Sequence, residues 1–189
     1  VLVEALKQKD VFISAMAQFA LEELGRRALP LLIHILVSGD SVSCIHAISA
    51  IGEMGSEARC AIPYLTDFLN ANDANTRLVA AAALSSIIDD KTLLVPTLAS
   101  VLNSSDERLR RRAIEAAGEL GVAAAPLVPL LIKAMEEDVD LETSVALALK
   151  RIGPPASAAV PHLLDMLRIR ESDIPKEEAL DILGRIPGR

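Results

Sequence analysis

A proline recurs at an almost constant interval along the chain, and this spacing constrains the fold more than any other feature of the sequence. The steps between successive prolines are 33, 33, 33 and 32 residues, from Pro30 through Pro63, Pro96 and Pro129 to Pro161. A fixed period of this size is typical of stacked helical repeats. Because such arrays grow by contacts between neighbouring units, the period sets the expected organisation of the 189 residues.

Apolar residues keep a fixed register with these prolines and predict a first helix in each repeat. A leucine lies two residues after each proline, and a large apolar residue lies six residues after it. These residues are Leu32, Leu65, Leu98, Leu131 and Leu163 at the first offset, and Leu36, Leu69, Leu102, Met135 and Leu167 at the second. Such offsets mark one buried stripe of a helix. The proline is expected in the first turn, where its missing N–H is tolerated.

An aspartate in a short polar turn predicts the start of a second helix in each repeat. Asp40, Asp73 and Asp106 each lie ten residues after a repeat proline, and aspartate is a favoured helix N-cap. Alanine-rich segments follow, and several end at a glycine, as helices often do. The sequence therefore predicts an all-α fold, a single domain over 1–189 of helix-pair units at about 1–25, 26–55, 56–90, 91–121, 122–153 and 154–189.

Composition and charge argue against several classes of function. Only 2% of the residues are aromatic and the net charge is −7, whereas nucleic-acid binding favours aromatic stacking platforms and a basic surface. No uninterrupted apolar run approaches the ~20 residues that cross a membrane. Cys44 and Cys60 lie in different predicted helices and are expected to be buried free thiols. The sequence thus predicts neither a nucleic-acid nor a membrane partner.

No constellation of residues in the sequence predicts catalysis. The three histidines lie far apart, no His-Glu dipeptide occurs, and neither a glycine-rich phosphate loop nor a nucleophile elbow is present. The acidic turn at 136–140 is expected to be a solvated loop rather than a calcium site. We therefore expect no enzyme, no cofactor and no metal.

The combined pattern resembles HEAT repeats. It consists of an apolar residue before Pro-x-Leu, an aspartate, an arginine four residues later, and an alanine-rich helix that ends in Leu/Ile-Gly. It is more narrowly similar to the short bacterial type that is also called phycobilisome-lyase-like HEAT. The resemblance covers essentially 1–186 and implies a right-handed α-α superhelix, a HEAT/ARM-like solenoid of about six stacked helix pairs. Because neither end shows a polar capping repeat, we expect a segment of a longer protein.

The resemblance also implies a ladder of aspartate and arginine side chains along the turns between the helices. Two pairs match it, Asp73 with Arg77 and Asp106 with Arg110. Cys44 and Thr143 stand where the flanking repeats would place arginine, so we expect the ladder to be broken at both flanks.

In the resembling family the second helices line a concave groove, where partners usually bind. The residues expected on this groove are His46, Ser49, Glu53, Arg108, Arg111, Arg112, Glu115, Glu119 and Arg151. The arginines could bind an acidic peptide through their planar guanidinium groups. The alternative is a solvated helix face on which they pair with Glu115 and Glu119. Mixed charge in the groove favours a polar peptide or protein over nucleic acid.

These features favour a non-enzymatic scaffold that binds a protein or peptide partner along its second helices. An accessory or lyase-type subunit that acts with an enzyme or a chromophore protein is the alternative, and it is suggested only by the narrower resemblance. HEAT-like nucleic-acid binding is less favoured. We expect a cytoplasmic, monomeric array or a part of a larger chain.

Overall fold

The computed structural model describes residues 24–168 and Gly184, and within these residues the chain is α-helical without any strand. Most of the expected unit 1–25, and the end of the unit 154–189, lie outside the described residues. The α-helices are α1 (Leu29–Ser38), α2 (Ser41–Glu53), α3 (Ile62–Phe68), α4 (Ala74–Ile87), α5 (Val95–Leu102), α6 (Glu107–Leu120), α7 (Val128–Glu137), α8 (Glu142–Ile152) and α9 (Val160–Arg168). Short 3-10 segments occupy Gly25–Arg27, Gly55–Ala61, Lys91–Leu94, Gly121–Leu127, Val139–Leu141 and Pro154–Ala159.

The chain forms two compact units, Val1–Asp90 and Lys91–Arg189. The first unit contains α1 to α4 and the second contains α5 to α9. Helix α1 packs against α2 and α3 against α4 in the first unit, and α5 packs against α6 and α7 against α8 in the second. The all-α repeat fold expected from the proline period is therefore confirmed.

The first helices α1, α3, α5, α7 and α9 each begin one residue before a repeat proline. The proline is therefore in the first turn, where no carbonyl of a preceding turn is left without its N–H donor. The leucines two residues after the prolines are at most 1% exposed. At the second offset, Leu36, Leu69, Leu102 and Met135 are buried as well, while the side chain of Leu167 lies outside the described part of the chain. The predicted buried stripe is thus confirmed for the described side chains.

The second helices begin at the predicted aspartate caps. Asp40 Oδ1 accepts hydrogen bonds from the N–H groups of Val42 and Ser43 at 3.1 and 3.0 Å. Asp73 Oδ2 accepts from the Thr76 N–H at 2.8 Å and from its hydroxyl at 2.7 Å. These bonds favour the ionised carboxylate, so Ser43 lowers the pKa of Asp40, and Thr76, chiefly through its hydroxyl, lowers the pKa of Asp73.

Asp106 caps α6 in the same way. Its Oδ1 accepts from the N–H groups of Arg108 and Leu109 at 2.9 and 3.2 Å. All three predicted caps are therefore confirmed, and each satisfies N–H groups that a helix start leaves without an intrahelical partner.

Glycines allow consecutive second helices to approach closely within each unit. A Cβ added at Gly52 of α2 would lie 2.9 Å from both Cα and Cβ of Ala83 on α4. A Cβ added at Gly118 of α6 would lie 3.0 Å from Cα of Ala148 on α8. Both distances are shorter than ordinary carbon–carbon contacts of about 3.5–4.0 Å. Helix α2 therefore packs directly along α4, and α6 along α8.

Two second helices in the second unit end at glycines with backbone angles that other residues rarely adopt. Gly121 ends α6 with φ of 58°, and Gly153 ends α8 with φ of 75°. This left-handed region costs glycine little because it has no Cβ, which confirms the glycine stops expected from the sequence. By length and hydropathy alone, the stretch Glu107–Glu137 could cross a membrane. In the structure, Gly121 divides this stretch, and Ile114 and Leu131 lie in the repeat core.

The prediction that both cysteines are buried is wrong for one of them. Cys44 is buried and Cys60 is exposed, and both are free thiols. Cys60 belongs to the 3-10 segment Gly55–Ala61, where Ala58 and Ala61 face the core and Cys60 faces outward. Burial raises the pKa of the Cys44 thiol. The two thiols therefore differ in reactivity, since the thiolate is the nucleophile.

Candidate functional site

A short row of polar contacts holds the turns between first and second helices in the second unit. Arg110 Nη2 donates to Asp138 Oδ2 at 2.7 Å, and its Nη1 donates to the Ser104 carbonyl at 3.4 Å. The side chains of Arg110 and Asp138 are 26% and 21% exposed, so water screens this ion pair only in part. Asp138 Oδ1 also accepts from the Asp140 N–H at 3.1 Å. The arrangement joins two consecutive turns.

The residue fourteen positions after a repeat proline has the same task in the first unit. Arg77 Nη1 donates to the carbonyls of Ala71 and Asn72 at 2.8 and 2.9 Å, and its Nε is buried without a hydrogen-bond partner. Cys44 occupies this position in the preceding repeat, and its Sγ lies 3.5 Å from the Ile35 carbonyl oxygen. Because a thiol is a weak donor, Cys44 makes a weaker contact than arginine does.

Asp138 was not among the residues expected in the ladder. A step of 33 residues from Asp106 points to Val139, whereas the step of 32 that separates Pro129 from Pro161 points to Asp138. The residue missing from this repeat lies before Asp138, in the turn that ends α7. Applying the shorter step to the aspartate would have identified the partner of Arg110.

The expected arginine cluster does not form one free cationic patch. Arg110 is engaged with Asp138, and Arg111 Nη2 donates to Glu107 Oε1 at 3.0 Å, one turn earlier on α6. Arg112 is exposed and also has an interaction partner, and Arg108 is exposed at the helix start. Glu107, rather than Glu115, is therefore the partner of Arg111. Most of the positive charge near the start of α6 is neutralised locally.

In the first unit, the predicted groove residues lie along one face of α2. His46 and Ser49 are half-buried and Glu53 is exposed at the end of the helix. The Ser49 hydroxyl donates to the Ile45 carbonyl at 3.1 Å, so it is already engaged within its own helix. Glu53 is therefore the accessible charge on this face.

In the second unit, the structure brings three of the predicted groove residues together at one pocket. Glu115 and Glu119 on α6 and Arg151 on α8 line a cavity of about 270 Å³ together with Ser144, Leu147 and Ala148. We call this cavity the α6–α8 pocket. The sequence analysis did not select Ser144, Leu147 or Ala148. Leu147 lies 32 residues after Glu115, so the shorter step would have placed it beside that glutamate.

The α6–α8 pocket has acidic groups on one side and an apolar surface on the other. Glu115 and Glu119 are one helical turn apart and therefore project from the same face of α6. Leu147, which is 38% exposed, supplies an apolar contact surface on α8. Arg151 crosses toward α6 over Gly118, because its Cδ lies 3.3 Å from the position of a Cβ at that glycine. Among the described residues, no side-chain hydrogen bond or ion pair is formed by Glu115, Glu119 or Arg151.

Two other cavities lie away from the second helices. One of about 220 Å³ is lined by Arg110, Asp138 and residues near the ends of α5 and α7, so its charged groups are already paired. The other, of about 830 Å³, lies between α1 and the 3-10 segment before α3 and includes Pro30, Ile33 and Cys60. In the part of the chain that the structure describes, no three His, Cys, Asp or Glu side chains are grouped so that they could hold a metal ion.

Comparisons with known proteins place this architecture among helical repeats. Residues 95–184 match the family model of HEAT repeats. No curated protein matches the chain. A designed armadillo repeat protein in complex with the peptide (KR)4 is similar at a TM-score of 0.64, with 14% identity over 98% of each chain.

Two further solved structures share the fold. An engineered protein has a TM-score of 0.60 and 21% identity, over 97% of this chain and 94% of its own. The complex of CpcE and CpcF of phycocyanin lyase from Nostoc sp. PCC7120 has a TM-score of 0.54 and 21% identity, over 97% of this chain and 74% of that one. With the proline-phased helix pairs and the match over 95–184, these likenesses identify the chain as a HEAT-type helical-repeat protein.

Proposed function

We propose that the protein is a non-enzymatic scaffold that binds a peptide or an extended protein segment along the exposed face of its second helices. The α6–α8 pocket carries this proposal, because it combines accessible charges that have no protein partner with an exposed leucine. Binding sites commonly pair apolar contact area with a few polar groups that fix orientation. The second helices also leave this face uncovered while their other faces form the repeat core.

The likeness to a designed armadillo protein in complex with a peptide supports a peptide as the ligand class. A protein of this fold can evidently present such a surface to an extended chain. Two free cysteines suit a reducing compartment, so we place the protein in the cytoplasm, as a monomeric array or as part of a larger chain. The net charge of −7 and the local pairing of the arginines count against nucleic acid as the partner.

Site-specific photo-crosslinking tests the proposed binding surface. A photo-crosslinking phenylalanine analogue replaces Leu147 in one variant and Tyr64 on α3 in the other. The two side chains have nearly equal exposure, 38% and 39%, but Tyr64 lies on a first helix. We expect capture of a discrete peptide segment at position 147 and none at position 64. The captured segment is then synthesised, and its affinity for the unmodified protein is measured by calorimetry.

Equal capture at both positions, or a synthetic segment that fails to bind, would show that the second-helix face is not the binding surface. The charge variants Glu115→Gln and Glu119→Gln then serve as a second check. They are expected to weaken binding of the captured segment without changing the helical circular dichroism, because both side chains are exposed.

An accessory role beside an enzyme is the second candidate function. The likeness to the CpcE and CpcF complex of phycocyanin lyase favours it. In that case the segment captured at position 147 belongs to an enzyme or its protein substrate, and the reaction of that enzyme slows when the chain is omitted. A captured partner whose activity is unchanged by the chain supports the simple scaffold.

A further inference from the structure

The chemistry of the α6–α8 pocket indicates which side chain of a bound peptide it accommodates. We propose that the pocket binds the side chain of an arginine or lysine from an extended peptide. Glu115 and Glu119 would contact the cationic head and Leu147 its aliphatic stem. The inference rests on the proposed peptide-binding function and adds the class of residue that is recognised.

Charge complementarity is the first argument. Glu115 and Glu119 present two carboxylates from adjacent turns of α6, and in the described structure neither is bonded to a protein cation. Two like charges at i and i+4 repel each other weakly in the free helix. A cation placed between them removes this repulsion and gains two charge-assisted hydrogen bonds.

The apolar side of the pocket is the second argument. Lysine and arginine carry long aliphatic stems below a charged head, and these stems pack on apolar surface while the head remains in contact with polar groups. Leu147 and Ala148 provide such a surface opposite the two glutamates. The volume of about 270 Å³ corresponds to several water molecules at about 30 Å³ each, which leaves room for one long side chain.

Arg151 gives the pocket a limit on the charge it accepts. Its stem packs across Gly118, so the guanidinium is held at the rim of the pocket near Glu119. A guanidinium at this point repels a second cation and attracts a carboxylate or a carbonyl oxygen of the same peptide. A single basic residue beside an acidic or neutral one fits this arrangement better than a continuous basic run.

The competing anion site is disfavoured by the same structure. The arginines at the start of α6 are drawn into contacts with Asp138 and Glu107. An acidic peptide would have to break these pairs, whereas a basic side chain at the α6–α8 pocket meets carboxylates that are already free of protein partners.

Nuclear magnetic resonance with minimal probes tests this inference directly. The full chain, labelled with nitrogen-15, is titrated with N-acetyl-arginine methylamide, and separately with the corresponding glutamate and glutamine compounds. We expect the arginine probe to shift the backbone amides of Glu115, Glu119 and Leu147, with an affinity in the millimolar range that suits so small a ligand. The glutamate and glutamine probes are expected to leave these amides unshifted.

Variants of opposite sign make the test specific. Glu115→Gln with Glu119→Gln should weaken the arginine probe by about three- to tenfold, since each exposed pair contributes a modest free energy. Arg151→Gln should strengthen it by about twofold, because a nearby like charge is removed. A matched control, Glu57→Gln with Asp67→Gln, removes two exposed carboxylates from the first unit and should leave the affinity unchanged.

An unshifted pocket, equal shifts with the glutamate probe, or equal weakening by the control pair would each overturn the inference. The proposed function is judged separately. If the segment captured by crosslinking at position 147 binds through the second-helix face while the arginine probe does not, the scaffold function stands and the basic-side-chain inference is wrong.

Discussion

Aspartate side chains at the turns do two different kinds of work, and their ionisation states matter for each. Asp73 accepts two bonds from Thr76 and caps a helix. Asp138 accepts from a backbone N–H with one oxygen and from Arg110 with the other. Both roles favour the charged form, so the helix starts of this protein are sensitive to acid.

The cap at Asp73 predicts a specific acid response. Its pKa is lower in the folded chain than in the unfolded chain, so its contribution is fully present above the ordinary carboxyl pKa of about 4. It is lost as the pH falls through the lower folded value, because the unfolded chain then binds the proton more readily. Asp73→Asn should keep nearly the neutral-pH stability, since asparagine caps about as well, and should lose less stability in acid.

Urea unfolding at pH 7 and at pH 3 measures this difference. Other carboxylates titrate alike in both proteins and cancel in the comparison. Identical losses in wild type and Asp73→Asn would contradict a depressed pKa at this cap.

The Arg110–Asp138 pair should be energetically coupled. A double-mutant cycle with Arg110→Ala and Asp138→Ala is expected to give a coupling of about 1–2 kcal/mol, because both side chains are largely shielded from water. The bonds to Ser104 and Asp140 drop out of the cycle. The exposed pair Arg111–Glu107 provides the control and should give about 0.3–0.5 kcal/mol. Equal coupling energies would mean that burial of the first pair does not strengthen it.

At the scale of helices, close packing between second helices depends on the absence of single methyl groups. Gly52 lies against Ala83, and Gly118 lies against Ala148. A glycine within a helix ordinarily costs about 1 kcal/mol relative to alanine. The close approach of α2 to α4 and of α6 to α8 offsets this cost through the contacts that it permits.

Gly52→Ala is therefore expected to destabilise the chain even though alanine is the better helix former. The added Cβ would meet backbone and side-chain atoms of Ala83 at 2.9 Å, and overpacking of this kind costs about 1–3 kcal/mol. Thermal unfolding followed by circular dichroism measures the change. Ser49→Ala, on the exposed side of the same helix, is the control and should change stability by at most about 0.5 kcal/mol. A stabilised Gly52→Ala variant would show that α2 can move away from α4.

Local chemistry explains which elements the sequence could predict. The buried leucines, the proline positions, the aspartate caps and the stop at Gly121 each depend on a few neighbouring residues, and all were predictable. The partner of Arg110, the exposure of Cys60 and the contact of Gly118 with Ala148 depend on distances between elements. The loss of one residue before Asp138 also displaced the register, which concealed Asp138 and Leu147 behind the regular step of 33.

For the whole molecule, stability in a repeat array is a sum of unit and neighbour contributions. The leucine stripe of the first helices supplies much of the buried apolar surface, and Leu98 is 1% exposed within it. Leu93, five residues earlier, is 49% exposed in the turn before α5. These two leucines are a matched pair that differs in burial.

Leu98→Ala should lower the free energy of unfolding by about 2–5 kcal/mol, because it leaves a cavity in a closely packed core. Leu93→Ala and the exposed Arg111→Ala should each cost about 0.5 kcal/mol or less. Urea melts of the intact chain measure all three. Similar costs at Leu98 and Leu93 would contradict the assignment of the leucine stripe to the core.

The pocket glutamates and the core leucines occupy different registers of the repeat, and this separation affects how such a protein can evolve. Residues 115, 119, 147 and 151 line the α6–α8 pocket, whereas Leu98 and Leu131 are enclosed in the interior. Genetic drift at the pocket positions is therefore nearly free of the selection that preserves folding. Duplicated genes of this kind can acquire new ligands by single substitutions, and every intermediate along such a lineage remains a folded protein.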